Sequence, residues 1–254
     1  MRYIIFDLDQ TLLNDKGEVT DYTVSVLKKL QSQGHKIVIN TARSEMMTLE
    51  LMKRIGPDYT LLCAGAGILD HKGKYIQRCE IPANTAKSIS SELSSKGKLF
   101  SMQGHPYLYT NNPDFIRYDT VQFSPENFNY DFGVPKFIVN FGYDGDIEAD
   151  YFSSKYDVDV TKYFNGPLYR LCHRDATKAK GNATLVELLG GTLDDVIAFG
   201  DDNGDLQMLL EAGVGVAMKN STEEIRAKTK YVTECTNDED GVARFLVKHF
   251  GLNL

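Results

Sequence analysis

Short apolar, β-branched runs alternate with helix-patterned stretches at both ends of this chain, and the alternation breaks in the middle. Residues 3–6 (YIIF), 36–40 (KIVIN) and 59–63 (YTLLC) read as buried strands, too short for helices. Between the first two, Thr20 is placed to cap a helix reaching Gln33. Val24, Leu27 and Leu30 recur there at helical spacing, and Gly34 stops it. Ser44 marks the expected start of a second helix, ending before Gly56-Pro57. From about Ala179 the pattern resumes with a helix over about 181–189, a strand at 196–199 (VIAF) and a helix from about Asp205 to Ala212. A strand at 214–218 (VGVAM), a helix near 222–228, the segment YVT and a last helix from about Asp240 complete it. Such alternation selects a parallel sheet with crossover helices.

The middle has another rhythm. ILDHKGKYIQ reads as a hairpin around Lys72-Gly73, and a polar helix follows at 83–96. Strand-like segments then recur at 98–102, 107–110, 136–141, 157–161 and 168–172, several of them separated by turn residues. Most of the tyrosines fall between Tyr107 and Tyr169, so composition shifts with the rhythm. This predicts one α/β domain, residues 1–81 and 179–254, interrupted by an α+β domain at 82–178.

Composition narrows the partners. The 254 residues carry 28 basic and 35 acidic side chains, a formal charge of −7, which argues against binding nucleic acid. No apolar run approaches the roughly 18–20 residues of a membrane span. The start, MRYIIFDLDQ, carries acids where a signal peptide needs a longer apolar stretch, so a cytoplasmic protein is expected. Cys63, Cys79, Cys172 and Cys235 form no CxxC pair and read as buried thiols rather than a zinc site.

Three of the α/β strands end in polar clusters: Asp7-Leu8-Asp9-Gln10-Thr11, Thr41-Ala42-Arg43, and Gly200-Asp201-Asp202-Asn203-Gly204-Asp205. In an open parallel sheet, ligands bind beyond the carboxyl ends of the strands. Asp7 continues the pleat of the first strand, so its carboxylate is held rigidly and is able to attack phosphorus. Asp9 is placed to protonate a leaving oxygen and later to accept a proton from water. With Asp201 these acids make a hard-oxygen set suited to Mg²⁺.

Asp7-x-Asp9-x-Thr11 resembles the first motif of the haloacid dehalogenase superfamily of phosphohydrolases. The whole chain is similar to the Cof-type branch, in which a large cap lies between the second and third core motifs. The resemblance implies a Rossmann-like parallel-sheet core with an inserted α+β cap domain. It implies Thr41 as a phosphoryl hydrogen-bond donor and Lys180, followed by Gly181, as the lysine that neutralises the transferring group; Lys178 is the local rival. It also implies Asp201 as a Mg²⁺ ligand, Asp205 as a ligand or an orienter, and the backbone carbonyl at Asp9 as a further ligand. Val214–Asn220 and Asp240-Gly241-Val242 fit the same pattern.

The chain departs from that pattern in three places. Gln10 stands where Gly is usual, Ala64-Gly65-Ala66 replaces Asn-Gly-Ala, and Gly204-Asp205 replaces Asn-Asp. Arg43 has two readings, phosphate binding or pairing with Glu45 or Asp205. Asn220 reaches the same crevice or caps the helix near Thr222. In the cap, His105, Tyr107, Tyr109, Asn140, Arg170, His173 and Arg174 offer polar or aromatic groups, with His173 and Arg174 nearest the return to the core. Most of the tyrosines read as packing residues of a half-buried sheet.

The expected function is a Mg²⁺-dependent phosphomonoesterase for a small phosphorylated metabolite, a sugar phosphate or phosphorylated cofactor. Asp7, Asp9, Thr41 and Lys180 are its catalytic residues, and Asp7, Asp9, Asp201 and Asp205 its metal residues. Thr41, Arg43, His173, Arg174 and Asn220 are its substrate contacts. A monomer or weak homodimer is expected, without nucleic-acid or membrane partners. The alternatives are a phosphomutase of the same superfamily and a non-catalytic phosphometabolite-binding protein.

Overall fold

A computed structural model describes residues 1–104, 107–116, 118–163 and 166–253. The chain forms two compact units, Met1–Gln77 with Thr177–Leu254, and Arg78–Ala176. It therefore crosses between them at 77/78 and 176/177, a few residues before the positions the composition shift suggested.

Strands β1 (Tyr3–Phe6), β2 (Lys36–Asn40), β3 (Tyr59–Leu62), β4 (Gly67–Asp70) and β5 (Tyr75–Arg78) precede the second unit. That unit supplies β6 (Phe100–Gln103), β7 (Leu108–Thr110), β8 (Val121–Gln122), β9 (Phe137–Asn140), β10 (Val158–Lys162) and β11 (Leu168–His173). After the return come β12 (Val196–Gly200), β13 (Val214–Ala217) and β14 (Tyr231–Val232). The helices are α1 (Asp21–Ser32), α2 (Leu49–Ile55), α3 (Ala83–Ser95), α4 (Asp146–Tyr156), α5 (Lys178–Leu188), α6 (Asn203–Glu211), α7 (Glu223–Lys228) and α8 (Gly241–Phe250).

The first unit's sheet runs β14-β13-β12-β1-β2-β3-β4-β5. It is parallel from β14 to β3, and β4 joins β3 antiparallel. Its parallel strands are apolar on both faces because helices cover both. Ile4 and Phe6 pack with residues of α1 and α8, while Tyr3 and Ile5 pack with residues of α5 and α6. The chain grows from β1 toward β2 on one side and resumes at β12 on the other, which makes β1/β12 a topological switch point. Phe6 is level with Ile39 and with Phe199. Asp7, Asn40-Thr41 and Gly200-Asp201 consequently leave the sheet side by side.

Thr20 caps α1 as expected, its side chain accepting from Thr23 N at 3.0 Å. Two other helix starts differ from expectation. Residues 44–48 form a turn, with Met47 N donating to Ser44 O and Thr48 N to Glu45 O, so α2 begins at Leu49 rather than Ser44. Helix α5 begins at Lys178 rather than 181, because Thr177 is its cap and accepts from Lys180 N at 3.2 Å.

The second unit carries a sheet in the order β10-β11-β9-β6-β7-β8, antiparallel except for β7 with β8. Phe137 and Val139 are buried while Ile138 and Asn140, which alternate with them, are only partly so, and one face packs with α3 and α4. Tyr169 sits inside that core and Tyr109, Tyr130 and Tyr156 pack against it, whereas Tyr107, Tyr118, Tyr143 and Tyr151 are exposed. Among the cysteines, Cys63 and Cys172 are buried, whereas Cys79 and Cys235 are partly exposed. His105 lies outside the described residues.

Candidate active site

Asp7 leaves β1 in extended conformation, buried, with its backbone N–H donating to Phe199 O at 3.2 Å. The Lys178 ammonium lies 3.0 Å from Asp7 Oδ1 and 2.5 Å from Asp205 Oδ1. Asp205 is fully buried, and its other oxygen accepts from the backbone N–H groups of Asp201 (3.0 Å) and Asp202 (3.3 Å). Asp202 in turn accepts from Asp205 N, a reciprocal cap at the start of α6. Gly200 makes this possible, since a Cβ there would come within 2.4 Å of the Asp205 Cβ. The Thr11 hydroxyl donates to Asp201 Oδ1 at 2.7 Å, joining the first and fourth motifs.

Helix α5 reaches this cluster through one close approach and two hydrogen bonds. A Cβ at Gly65 would stand 2.5 Å from Thr177 O, and Gly65 has φ +97°, a conformation glycine adopts without strain. Asn40, at the end of β2, donates through Nδ2 to Lys178 O (2.9 Å) and to Asn182 Oδ1 (2.7 Å). The first turn of α5 is thereby tied to the strand that carries Thr41.

Lys178, the local rival of Lys180, is the lysine at this cluster. At about 100° per residue, side chains two apart on a helix point to nearly opposite sides. Lys178 is buried, and Lys180 is exposed. Thr41 is fully buried at the end of β2, its Oγ1 accepting from Arg43 N at 3.1 Å. Arg43 pairs with Asp9, a partner not weighed from sequence. Its Nε and Nη2 take both oxygens of Asp9, at 2.9 and 2.5 Å. The Asp9 side chain is more than half exposed, 57%, and stands apart from the buried carboxylates.

The remaining expected contacts are engaged elsewhere. Asn220 Nδ2 donates to Gln10 O at 2.8 Å and its Oδ1 accepts from Asn237 N at 3.1 Å, so the amide braces two loops, while Thr222 itself caps α7. Gln10 has φ +57°, which explains why glycine suits this position. In the second unit, Arg174 pairs with Asp157 (2.5 Å) and donates to Ser153 O. His173 faces Cys79 and the Asp175 backbone. Arg170 lies beside Asp159, and Asn140 accepts from Gly142 N.

Oxygens of Asp7, Asp201 and Asp205 lie within 4.8 Å of one another. Burial pushes the Asp7 carboxyl up to about 8 against the pull of Lys178, and neighbouring Asp205 adds to the rise. Burial, opposed by the Thr11 hydrogen bond, pushes Asp201 up to about 7. Burial also works against the charge on Lys178, but Asp7 and Asp205 outweigh it and hold the ammonium protonated. One lysine thus faces two buried acids and a half-buried third. That charge deficit, met by hard oxygen donors, fits a divalent cation such as Mg²⁺.

Three signals for this arrangement exist in the sequence. Lys178, Asn182 and Leu185 recur at i, i+4 and i+7, the spacing of a buried helix face. Thr177 before Lys178 is a capping residue, and Thr11 is the third member of the DxDxT motif. Asn40, at the end of an otherwise apolar strand, carries a weaker hint.

Comparison with known proteins agrees with this geometry. A family model described as haloacid dehalogenase-like hydrolase matches residues 4–246. Phosphatase YwpJ of Bacillus subtilis is 27% identical, over 98% of this chain and 99% of its own length. A second B. subtilis protein, 5-amino-6-(5-phospho-D-ribitylamino)uracil phosphatase YitU, is 26% identical over 98% and 97% of the two chains. The crystal structure of a haloacid dehalogenase-like hydrolase from Bacteroides thetaiotaomicron superposes with a TM-score of 0.86 at 23% identity, covering 98% of this chain and 99% of that one. The chain is an enzyme of the haloacid dehalogenase-like hydrolase family, in the phosphatase branch that its motifs implied.

Proposed function

We propose that the enzyme is a Mg²⁺-dependent phosphomonoester hydrolase acting on a small phosphorylated metabolite, a sugar phosphate or phosphorylated cofactor, through an aspartyl phosphate at Asp7. The observation that carries this reading is the Lys178 ammonium fixed 3.0 Å from a rigid, buried carboxylate. An anion brought to that point meets a positive charge beside a nucleophile that needs no further positioning.

Asp7 attacks phosphorus while the phosphorus–oxygen bond to the alcohol breaks, and Asp9 protonates the departing oxygen. Asp9 then takes a proton from water as that water attacks the aspartyl phosphate, which returns Asp7 and releases phosphate. Lys178 and the Thr41 hydroxyl stabilise the charge on the phosphoryl oxygens in both steps. Arg43 holds the Asp9 carboxylate by two parallel hydrogen bonds. Asp205 has both oxygens engaged and acts as a positioning residue for Lys178 and the Asp201 backbone.

Asp7, Asp201 and the backbone carbonyl of Asp9 would hold Mg²⁺, whose charge offsets the repulsion between a carboxylate and a phosphate. YitU, named for a phosphorylated ribityl compound, supports a small phosphorylated molecule as the substrate class. The test is phosphate release from a panel of sugar phosphates, pyridoxal phosphate and flavin mononucleotide, with and without Mg²⁺. Release from at least one of them that needs Mg²⁺ and no acceptor is expected. Transfer only to an added acceptor, or tight binding with no release, would replace hydrolysis by one of the other readings.

A further inference from the structure

Cys79 Sγ lies 3.3 Å from His173 Nδ1, both within the second unit. The backbone N–H of Asp175 donates to the same nitrogen at 3.1 Å. Nδ1 is therefore an unprotonated acceptor, and the ring hydrogen sits on Nε2. The thiol hydrogen of Cys79 is directed at that lone pair. The Asp175 carboxylate stands 3.9 Å from Nδ1. A partly exposed thiol against an unprotonated imidazole nitrogen is an arrangement that generates a thiolate.

Position adds a consequence. Cys79 is the second residue after the chain enters the second unit, and His173 is the fourth before it leaves. The pair links the first and last segments of the second unit, so chemistry at Cys79 alters a contact within that unit.

We propose that Cys79 and His173 form a thiol–imidazole pair that makes Cys79 a modification site for hydroperoxides. Nδ1 accepts the thiol proton and the sulfur attacks one peroxide oxygen, so that a sulfur–oxygen bond forms as the oxygen–oxygen bond breaks. With hydrogen peroxide, the departing hydroxide takes the proton from the imidazolium and leaves as water. Cys79 loses two electrons in becoming a sulfenic acid, and the peroxide gains them.

The experiment treats the full-length enzyme at neutral pH with limiting hydrogen peroxide, traps sulfenic acid with dimedone and quantifies each cysteine peptide by mass spectrometry. Cys235, also partly exposed, is the comparator, and buried Cys63 and Cys172 report on folding. Cys79 is expected to be labelled about tenfold faster than Cys235, as its thiolate fraction requires. His173→Gln should bring its rate to within about twofold of Cys235. Equal rates for Cys79 and Cys235 in the wild type, or an unchanged Cys79 rate in a folded His173→Gln, overturn the proposal. Should Cys63 and Cys172 become labelled in the variant, the wild-type ratio alone decides.

Discussion

Lys178 Nζ sits 3.0 Å from Asp7 Oδ1 and 2.5 Å from Asp205 Oδ1, a single ammonium bridging two buried carboxylates from the first and fourth motifs. The bridge sets Lys178, rather than exposed Lys180, against Asp7. Lys178→Met should lower kcat by about 10²–10³, the usual effect of removing one charge-stabilising group. Lys180→Met should change kcat by less than about twofold, as for an exposed side chain. Steady-state kinetics on the best substrate of the panel checks both, with circular dichroism to confirm folding.

The raised carboxyls make stability and metal binding depend on pH in a definite direction. Asp7 titrates near 8 in the folded chain and Asp201 near 7, each far above the 3.8 of an unperturbed Asp. The folded state therefore holds more protons than the unfolded state across this window. Their contribution is fully present below about pH 4 and is lost as pH rises through 7 to 8. Without divalent cations, Tm should fall between about pH 6 and 8.5, and added Mg²⁺ should raise Tm more at the alkaline end. Calorimetric titration of Mg²⁺ near neutral pH, in buffers of different ionisation enthalpy, should show proton release.

Thr11 matters through Asp201. Its hydroxyl supplies a 2.7 Å hydrogen bond to the carboxylate that would hold the cation. Thr11→Val keeps the shape and removes the donor, which should weaken Mg²⁺ binding about tenfold and leave the fold intact. The Mg²⁺ concentration for half-maximal rate is the readout.

The two hydrogen bonds from Arg43 to Asp9 imply a separate kinetic signature. Arg43→Met frees the Asp9 carboxylate to rotate, so kcat should fall about tenfold or more for poor leaving groups. For p-nitrophenyl phosphate, whose departing phenolate needs little protonation, the loss should be less than about threefold. Equal losses on the two substrates would assign Arg43 to phosphate binding instead.

The core was legible in the sequence because its strands are short apolar runs whose ends carry the chemistry. Asp7, Thr41 and Asp201 could be placed together from strand ends alone, and register does bring Phe6 level with Ile39 and Phe199. Lys178 was not ranked first because its neighbour Lys180 precedes Gly181, and only the Thr177 cap tells which lysine opens the helix. The partners of Arg43 and Asn220 were hidden for another reason. Asp9 and Gln10 lie on a loop whose left-handed turn at Gln10 no strand or helix period encodes. His173 and Arg174 were assigned to substrate on their position near the return to the core, yet both find partners inside their own unit.

The most direct test of the account is to trap the covalent intermediate. The wild-type enzyme turning over its best substrate is acid-quenched, reduced with borohydride and digested, and the peptide containing residue 7 is examined by mass spectrometry. The account predicts conversion of Asp7 to homoserine in the wild type, with no conversion and near-complete loss of turnover in Asp7→Asn. Phosphate release by a folded Asp7→Asn at the wild-type rate would contradict it.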